Sequence, residues 1–278
     1  MESYNFLVKV VRARCMPLVP VAALITLSSA AAPSASASII IDSFSVSSNA
    51  TVMLGSDTPP APPVYFGPNG IGTASALGGF RMMASYVTAG DEEDLYRFRV
   101  SNSTGLASVE TSARVRGRGL LTYNGTNSPN TGVSAGNFNA PGSFNLGGID
   151  ITQSGANQAV FVNGYADNNG IPIVFTFWTN SSTYARGVLN LPGSSNGALL
   201  AHYLRFTNFA PTGGSLNSIL SNVNAITIEL NGMAPGVTVG TDVVLDYIVA
   251  ASIPEPATYL TIGTALIALG FVRRRTRD

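Results

Sequence analysis

Few side chains in this sequence are equipped for catalysis, and their types and spacing narrow the chemistry quickly. His202 is the only histidine, and it lies in AHYLRFTNF beside Tyr203 and Arg205 on a stretch that alternates like a strand. GSSNG at 193–197 has the spacing Gly-x-Ser-x-Gly, which makes Ser195 a nucleophile only where a strand, a sharp elbow and a helix surround it. LPGSSNG reads instead as a turn between two strands, and no acid lies between Ser195 and His202. A serine hydrolase is therefore rejected, and a secreted hydrolase of another kind stays a remote alternative. Asp91, Glu92, Glu93 and Asp94 are four consecutive carboxylates that could hold Ca²⁺ or act as a glycosidase pair. Consecutive residues on an extended chain point to alternating sides, and paired acids normally come from separate elements. A solvated loop is the plainer reading. No catalytic residue is assigned.

Metal and ligand chemistry is equally sparse. The single cysteine, Cys15, can build neither a disulfide framework nor a cysteine-rich zinc site. Asp42 and Asp246, near the first and last strands, could brace those strands through a structural calcium; two surface aspartates are the alternative. No other cofactor is expected. Arg97 and Arg99 share one face of a strand, as do Arg114, Arg116 and Arg118. If those strands pair, the arginines form a basic patch able to contact acidic polysaccharide; an ordinary solvent face balanced by the acids at 91–94 is the plainer reading. Trp178, Tyr184 and Tyr203 could stack on a sugar ring, although Trp178 ends the very apolar run IPIVFTFW and reads as core.

The elements that must position these residues are strands. Of 278 residues only 11% are charged, with 29 Gly and 16 Pro, a composition that argues against long soluble helices. Short β-branched and aromatic runs separated by turn residues recur throughout. They predict strands near 39–46, 80–87, 94–101, 106–116, 119–123, 148–152, 158–163, 171–178, 183–191, 199–206, 225–230 and 242–250. Only 215–222 reads as a helical turn; 58–68 is Pro-rich and 124–147 Gly/Asn-rich, and both are expected to be loops. Strands this frequent, without helical periods between them, predict an all-β fold: an antiparallel β-sandwich or jelly roll over 38–252. Eight arginines against twelve carboxylates leave that segment mildly acidic, with no basic face for nucleic acid.

Both ends of the chain carry targeting patterns. Lys9, Arg12 and Arg14 precede an apolar run at 16–27 and a small-residue zone at 28–38. This is the layout of a cleaved signal peptide spanning 1–37, handled by the Sec translocon and signal peptidase, with the cut between Ala37 and Ser38. The other end, 253–278, holds Pro254, Glu255 and Pro256, then an apolar run at 257–272, then Arg273, Arg274, Arg275 and Arg277. Sixteen apolar residues make about 24 Å of helix at roughly 1.5 Å per residue, slightly short of a hydrocarbon core of about 30 Å. The positive-inside bias keeps such an arginine cluster cytoplasmic.

This tripartite tail resembles the PEP-CTERM sorting signal of Gram-negative, exopolysaccharide-producing bacteria. The resemblance implies that an inner-membrane exosortase recognises Pro254, Glu255 and Pro256 as substrate and removes the tail. The usual residue before the motif is Val, and Ile253 stands in its place. The second half of the domain also resembles a region common in this family. Its Leu-x-Tyr-x-Gly, Gly-Gly-Ile-Asp, Leu-Pro, Asn-Val-x-Ala-Ile and Asp-x-Ile segments are 121–125, 147–150, 191–192, 222–226 and 246–248 here. That pattern looks like a jelly-roll, galactose-binding-like architecture. Together the resemblances imply an exported protein, held in the inner membrane as a precursor and then delivered to the surface or matrix. Its expected role is structural or adhesive, linked to exopolysaccharide or biofilm, with a carbohydrate-binding module as the alternative.

Overall fold

The computed structural model describes residues 38–46, 48–53, 64–70, 75–89, 95–101, 103–111, 116–126, 140–167, 171–194, 196–231 and 242–253, all within the compact unit Ser36–Pro254. The strands in chain order are Ile39–Asp42 (β1), Ser48–Met53 (β2), Val64–Gly70 (β3), Phe80–Ala89 (β4), Leu95–Ser101 (β5), Leu106–Thr111 (β6) and Arg116–Tyr123 (β7). They continue with Ala159–Ala166 (β8), Ile171–Asn180 (β9), Thr183–Leu191 (β10), Leu200–Arg205 (β11), Ala210–Thr212 (β12), Ala225–Leu230 (β13) and Val243–Ala251 (β14). One short helix, Leu216–Leu220 (α1), is started by the Ser215 side chain, which accepts from the Ser218 N–H.

Two antiparallel sheets form a β-sandwich. The first runs β11-β8-β14-β6-β5-β2, with β1 added alongside the far half of β14; the second runs β12-β10-β9-β13-β7-β4-β3. Alternation explains how each strand is placed. In β8, Val160, Val162 and Ala166 are fully buried while Phe161, Asn163 and Tyr165 are half-exposed. The inward rows meet in one core that joins Phe98, Val109, Ile248 and Val162 of the first sheet to Leu121, Phe175, Phe177 and Ile228 of the second. At Gly119 of β7 an added Cβ would come within 3.1 Å of the Tyr96 hydroxyl and 3.2 Å of the Phe98 ring, so the missing side chain is what lets β5 and β7 approach.

Most expected strands are present, and three were not anticipated. β3 lies where a proline-rich loop was expected. Its pairing with β4 shifts register between Phe66 and Asn69, and it sits at the edge of its sheet, where a proline costs least. The segment at 148–152 makes a single bridge, Ile149 to Val223, and then turns. The short β2 and β12 carry too few apolar residues to signal a strand.

Candidate functional site

The most constrained cluster lies inside the sandwich. Asp42 ends β1, Arg81 is the second residue of β4 and Tyr123 closes β7, so three strands from both sheets deliver their side chains to one point. Arg81 Nη1 donates to Asp42 Oδ1 at 2.9 Å and Oδ2 at 2.8 Å, and the Tyr123 hydroxyl donates to Oδ2 at 2.8 Å. The Phe44 N–H donates to Oδ1 at 2.8 Å, and Phe44 takes a left-handed φ of 51° to close that turn. The Arg81 guanidinium also donates to the Val46 carbonyl and lies 5.6 Å from the Phe44 ring centroid. Burial pushes the Asp42 carboxyl up from its usual range, against the opposing charge and hydrogen bonds of Arg81. Burial, then the Asp42 charge, pushes the Tyr123 hydroxyl well up too.

This geometry revises the reading of Asp42. Its carboxylate oxygens are taken up by a guanidinium, a phenol and a backbone N–H, and the tie it makes runs from β1 to the second sheet. Asp246, at the register shift in β14, accepts instead from Asn163 Nδ2 at 2.9 Å on the outer face of the first sheet. The two aspartates are not brought to a shared site, and no group of three or more metal-ligating side chains occurs among the described residues.

A second charged cluster sits on the outward row of the second sheet. Glu229 of β13 is 2% exposed and accepts from Arg118 Nη1 at 2.9 Å, with Arg186 Nη2 at 3.8 Å. Burial raises its carboxyl, opposed by the charges of Arg118 and then Arg186. Thr122, Thr227 and Thr176 are directly opposite one another across β7, β13 and β9, and all are buried. Trp178 donates from Nε1 to Thr227 Oγ1 at 2.9 Å and packs on Tyr184 with centroids 4.6 Å apart. At 6% exposure its ring is a packing element, not an open sugar platform.

The remaining sequence candidates are dispersed. Arg97 and Arg99 reach Glu110 at 3.2 and 2.7 Å on the first sheet, whereas Arg118 is on the second. The proposed patch therefore does not form from these three: β5 pairs with β6, and β7 with β4 and β13. His202 faces Val162 across β11 and β8. Tyr203 is 45% exposed, with the Phe161 ring at 5.4 Å and the Arg205 guanidinium at 5.9 Å. Ser195, the acids at 91–94, Arg114, Cys15 and Ala37 lie outside the described residues, as do Pro254, Glu255, Pro256 and the arginines at 273–277. No helix among the described residues is long and apolar enough to cross a membrane; the run at 257–272 was not within them.

A cleft of about 630 Å³ opens beside the turn that begins at Asp150, lined also by Thr152, Ser154, Phe206 and Leu216. Asp150 accepts from Thr152 N, Thr152 Oγ1 and Ser154 N at 3.0, 2.6 and 2.7 Å. Against a burial penalty, these bonds hold its carboxyl below the usual range. Gln153 and Ser154 adopt left-handed φ of 47° and 58° around them. Asp150 thus organises its own turn.

Three of the segments singled out in the second half meet at one corner. Asn224 accepts from the Gly148 N–H at 2.7 Å and donates to the Thr179 carbonyl at 3.1 Å, tying the 147–150 and 222–226 segments to β9. Asn145 N donates to the Asn124 carbonyl at 3.0 Å, adding the 121–125 segment to the same corner. Sequence reasoning had singled out none of Arg81, Glu229 or Asn224. For Arg81 and Glu229 the only signal was a lone charge within an apolar strand.

Residues 252–275 match the model of the PEP-CTERM protein-sorting motif. No curated protein matches the chain. Among solved structures the chain is similar to the family 11 carbohydrate-binding module of the cellulosomal cellulase Lic26A-Cel5E of Clostridium thermocellum. The identity is 9% and the TM-score 0.34, over 80% of this chain and 99% of that one. The Clostridium thermocellum family 11 module in complex with a β-1,3-1,4-mixed-linked tetrasaccharide matches at 8% identity and TM-score 0.30, over 74% and 98%. PfGH50B matches at 8% and 0.35, over 62% of this chain and 23% of that one. Scores this low assign no site and no ligand to this chain. The sequence-level match is the firm one: this chain carries a PEP-CTERM sorting motif directly behind an antiparallel β-sandwich.

Proposed function

We propose that this is an exported, non-catalytic protein of the cell surface or extracellular matrix, with a structural or adhesive role linked to exopolysaccharide or biofilm. The sorting-motif match at 252–275 carries the reading, because it begins at the residue after β14 ends. In this account 1–37 is a signal peptide that enters the Sec translocon and is cut after Ala37. The β-domain occupies 38–252, and 253–278 anchors the precursor in the inner membrane until an exosortase removes the tail. The way charge is used supports a non-catalytic role. Asp42 is engaged by Arg81, Glu229 by Arg118 and Glu110 by Arg97 and Arg99, so these carboxylates link strands instead of facing each other across a cleft.

The test replaces Pro254, Glu255 and Pro256 by alanine in a host with an active exosortase and follows the protein in membrane and outer fractions. Retention of the variant in membranes, with the parent chain found outside, is the expected outcome. Identical distribution of the two forms would overturn the sorting assignment.

A further inference from the structure

The two ends of the β-domain leave the fold at the same pole. Ile39 pairs with Ala250, so the chain enters β1 beside the point where β14 ends at Ala251. Ala251 is fixed there by the Gln158 N–H, which donates to its carbonyl at 3.0 Å. From Ala251 to the start of the apolar run at 257 is six residues, at most about 22 Å of extended chain at roughly 3.3–3.6 Å each. Pro254 and Pro256 stiffen that short connection. A domain anchored through 257–272 is thus held with this pole close to the bilayer.

At that pole the outer face of the first sheet carries an apolar row, with the half-exposed Asp246 and Asn163 on the next row in. One step in from the Ile39–Ala250 pair, Ile40, Val249, Phe161 and Tyr203 are directly opposite one another across β1, β14, β8 and β11. Three strand spacings of roughly 4.8 Å make this row about 14 Å wide. Ile40 is 52% and Tyr203 45% exposed, and Phe161 and Val249 are half-exposed. The exposed Arg205 lies two residues from Tyr203 on the same face, with its guanidinium over the Tyr203 ring. On the far half of this face the row gives way to Arg97, Arg99 and Glu110. An apolar row ending in a tyrosine with a basic neighbour has the chemistry of the membrane interface, where amphipathic rings and long cationic side chains settle at headgroup level.

We propose that the row Ile40, Val249, Phe161 and Tyr203, with Arg205, is a lipid-docking surface that lays the outer face of the first sheet on the bilayer while the precursor is anchored. The proposal rests on the reading of 257–272 as a membrane anchor. Docking would hold the Pro-Glu-Pro segment at a fixed height, and release of the tail would remove the tether and let the face leave the membrane.

The test uses the precursor after signal cleavage, residues 38–278, which holds no cysteine, so that each introduced cysteine is unique. Tyr203→Cys, Ile40→Cys and, as controls, Arg99→Cys and Ser221→Cys are labelled with an environment-sensitive fluorophore. The proteins are reconstituted in phosphatidylethanolamine/phosphatidylglycerol vesicles containing nitroxide lipid. The expected result is at least twofold stronger lipid quenching at 203 and 40 than at 99 and 221. Phe161→Ser with Tyr203→Ser should bring quenching at position 40 down to the control level. Weak and equal quenching at all four sites, in protein still retained by the vesicles after carbonate washing, overturns docking and leaves the anchor standing. Loss of the protein on washing overturns both. Protection of the 203 label by soluble polysaccharide without lipid, or by concentration-dependent self-association, assigns the row to a glycan or to a second copy and overturns the proposal.

Discussion

Replacing Arg81 by methionine isolates the buried ion pair that ties β1 to the second sheet. The substitution keeps most of the side-chain volume and removes both bonds to Asp42, at 2.9 and 2.8 Å, along with the bond to the Val46 carbonyl. Both side chains of the pair are 0% exposed, so water cannot replace the guanidinium. Breaking a buried pair on one side leaves an uncompensated charge and typically costs about 3–5 kcal/mol, a large share of a domain stability of roughly 5–15 kcal/mol. Removing both partners is milder, because no charge is left buried. Arg81→Met with Asp42→Asn should therefore recover about half of the loss. Urea unfolding of the processed protein measures this. At a slope near 2 kcal/mol/M, the single variant should shift the midpoint by about 2 M and the double variant by about 1 M. If the double variant instead loses the sum of the two single losses, the residues are not coupled and the assignment of a cross-sheet tie is wrong.

Three further outcomes follow from the same interior. Asp42 and Glu229 have carboxyls raised mainly by burial, so the folded state binds more protons than the unfolded chain above their ordinary values of 3.8 and 4.5. Stability should then fall as pH rises from those values through the raised ones, and Asp42→Asn with Arg81→Met should flatten part of that slope in urea midpoints measured across pH. Gly119→Ala drives a methyl to within 3.1 Å of the Tyr96 hydroxyl and should cost about 1–3 kcal/mol in the same assay, whereas Gly105→Ala meets no neighbouring atom and, at a φ of 66°, bears backbone strain alone. Asn224→Ala removes the bonds to Gly148 N and Thr179 O and should cost about 1–3 kcal/mol, with early loss of amide protection at Gly148 in hydrogen exchange.

The strands were legible wherever two-residue alternation was clean, as in 94–101, 158–163 and 242–250, because one buried face imposes that period. β3 was hidden by Pro68, since a proline at a sheet edge looks in sequence like a loop, and 148–152 misled because its alternating residues serve a single bridge and a tight turn. Sorting was readable because its recognition is linear: Pro-Glu-Pro, an apolar run and arginines work in fixed order without a fold to assemble them. The interior network was not. Asp42 and Arg81 are 39 residues apart, Asp42 and Tyr123 81, and only the pairing of sheets shows that they meet. The same distance effect misplaced the arginines: Arg99 and Arg118 look alike on paper and sit on different sheets. Tyr123 lies within the Leu-x-Tyr-x-Gly segment 121–125, and its buried hydroxyl on Asp42 supplies a physical reason for a tyrosine there.

The most direct test of the account is the intact mass of the protein recovered from the medium and from the membranes of a host with an active exosortase. The account predicts an outer form that begins at Ser38 and ends at or near the Pro-Glu-Pro segment, without Arg273, Arg274, Arg275 and Arg277. An outer form that still carries those four arginines would contradict it.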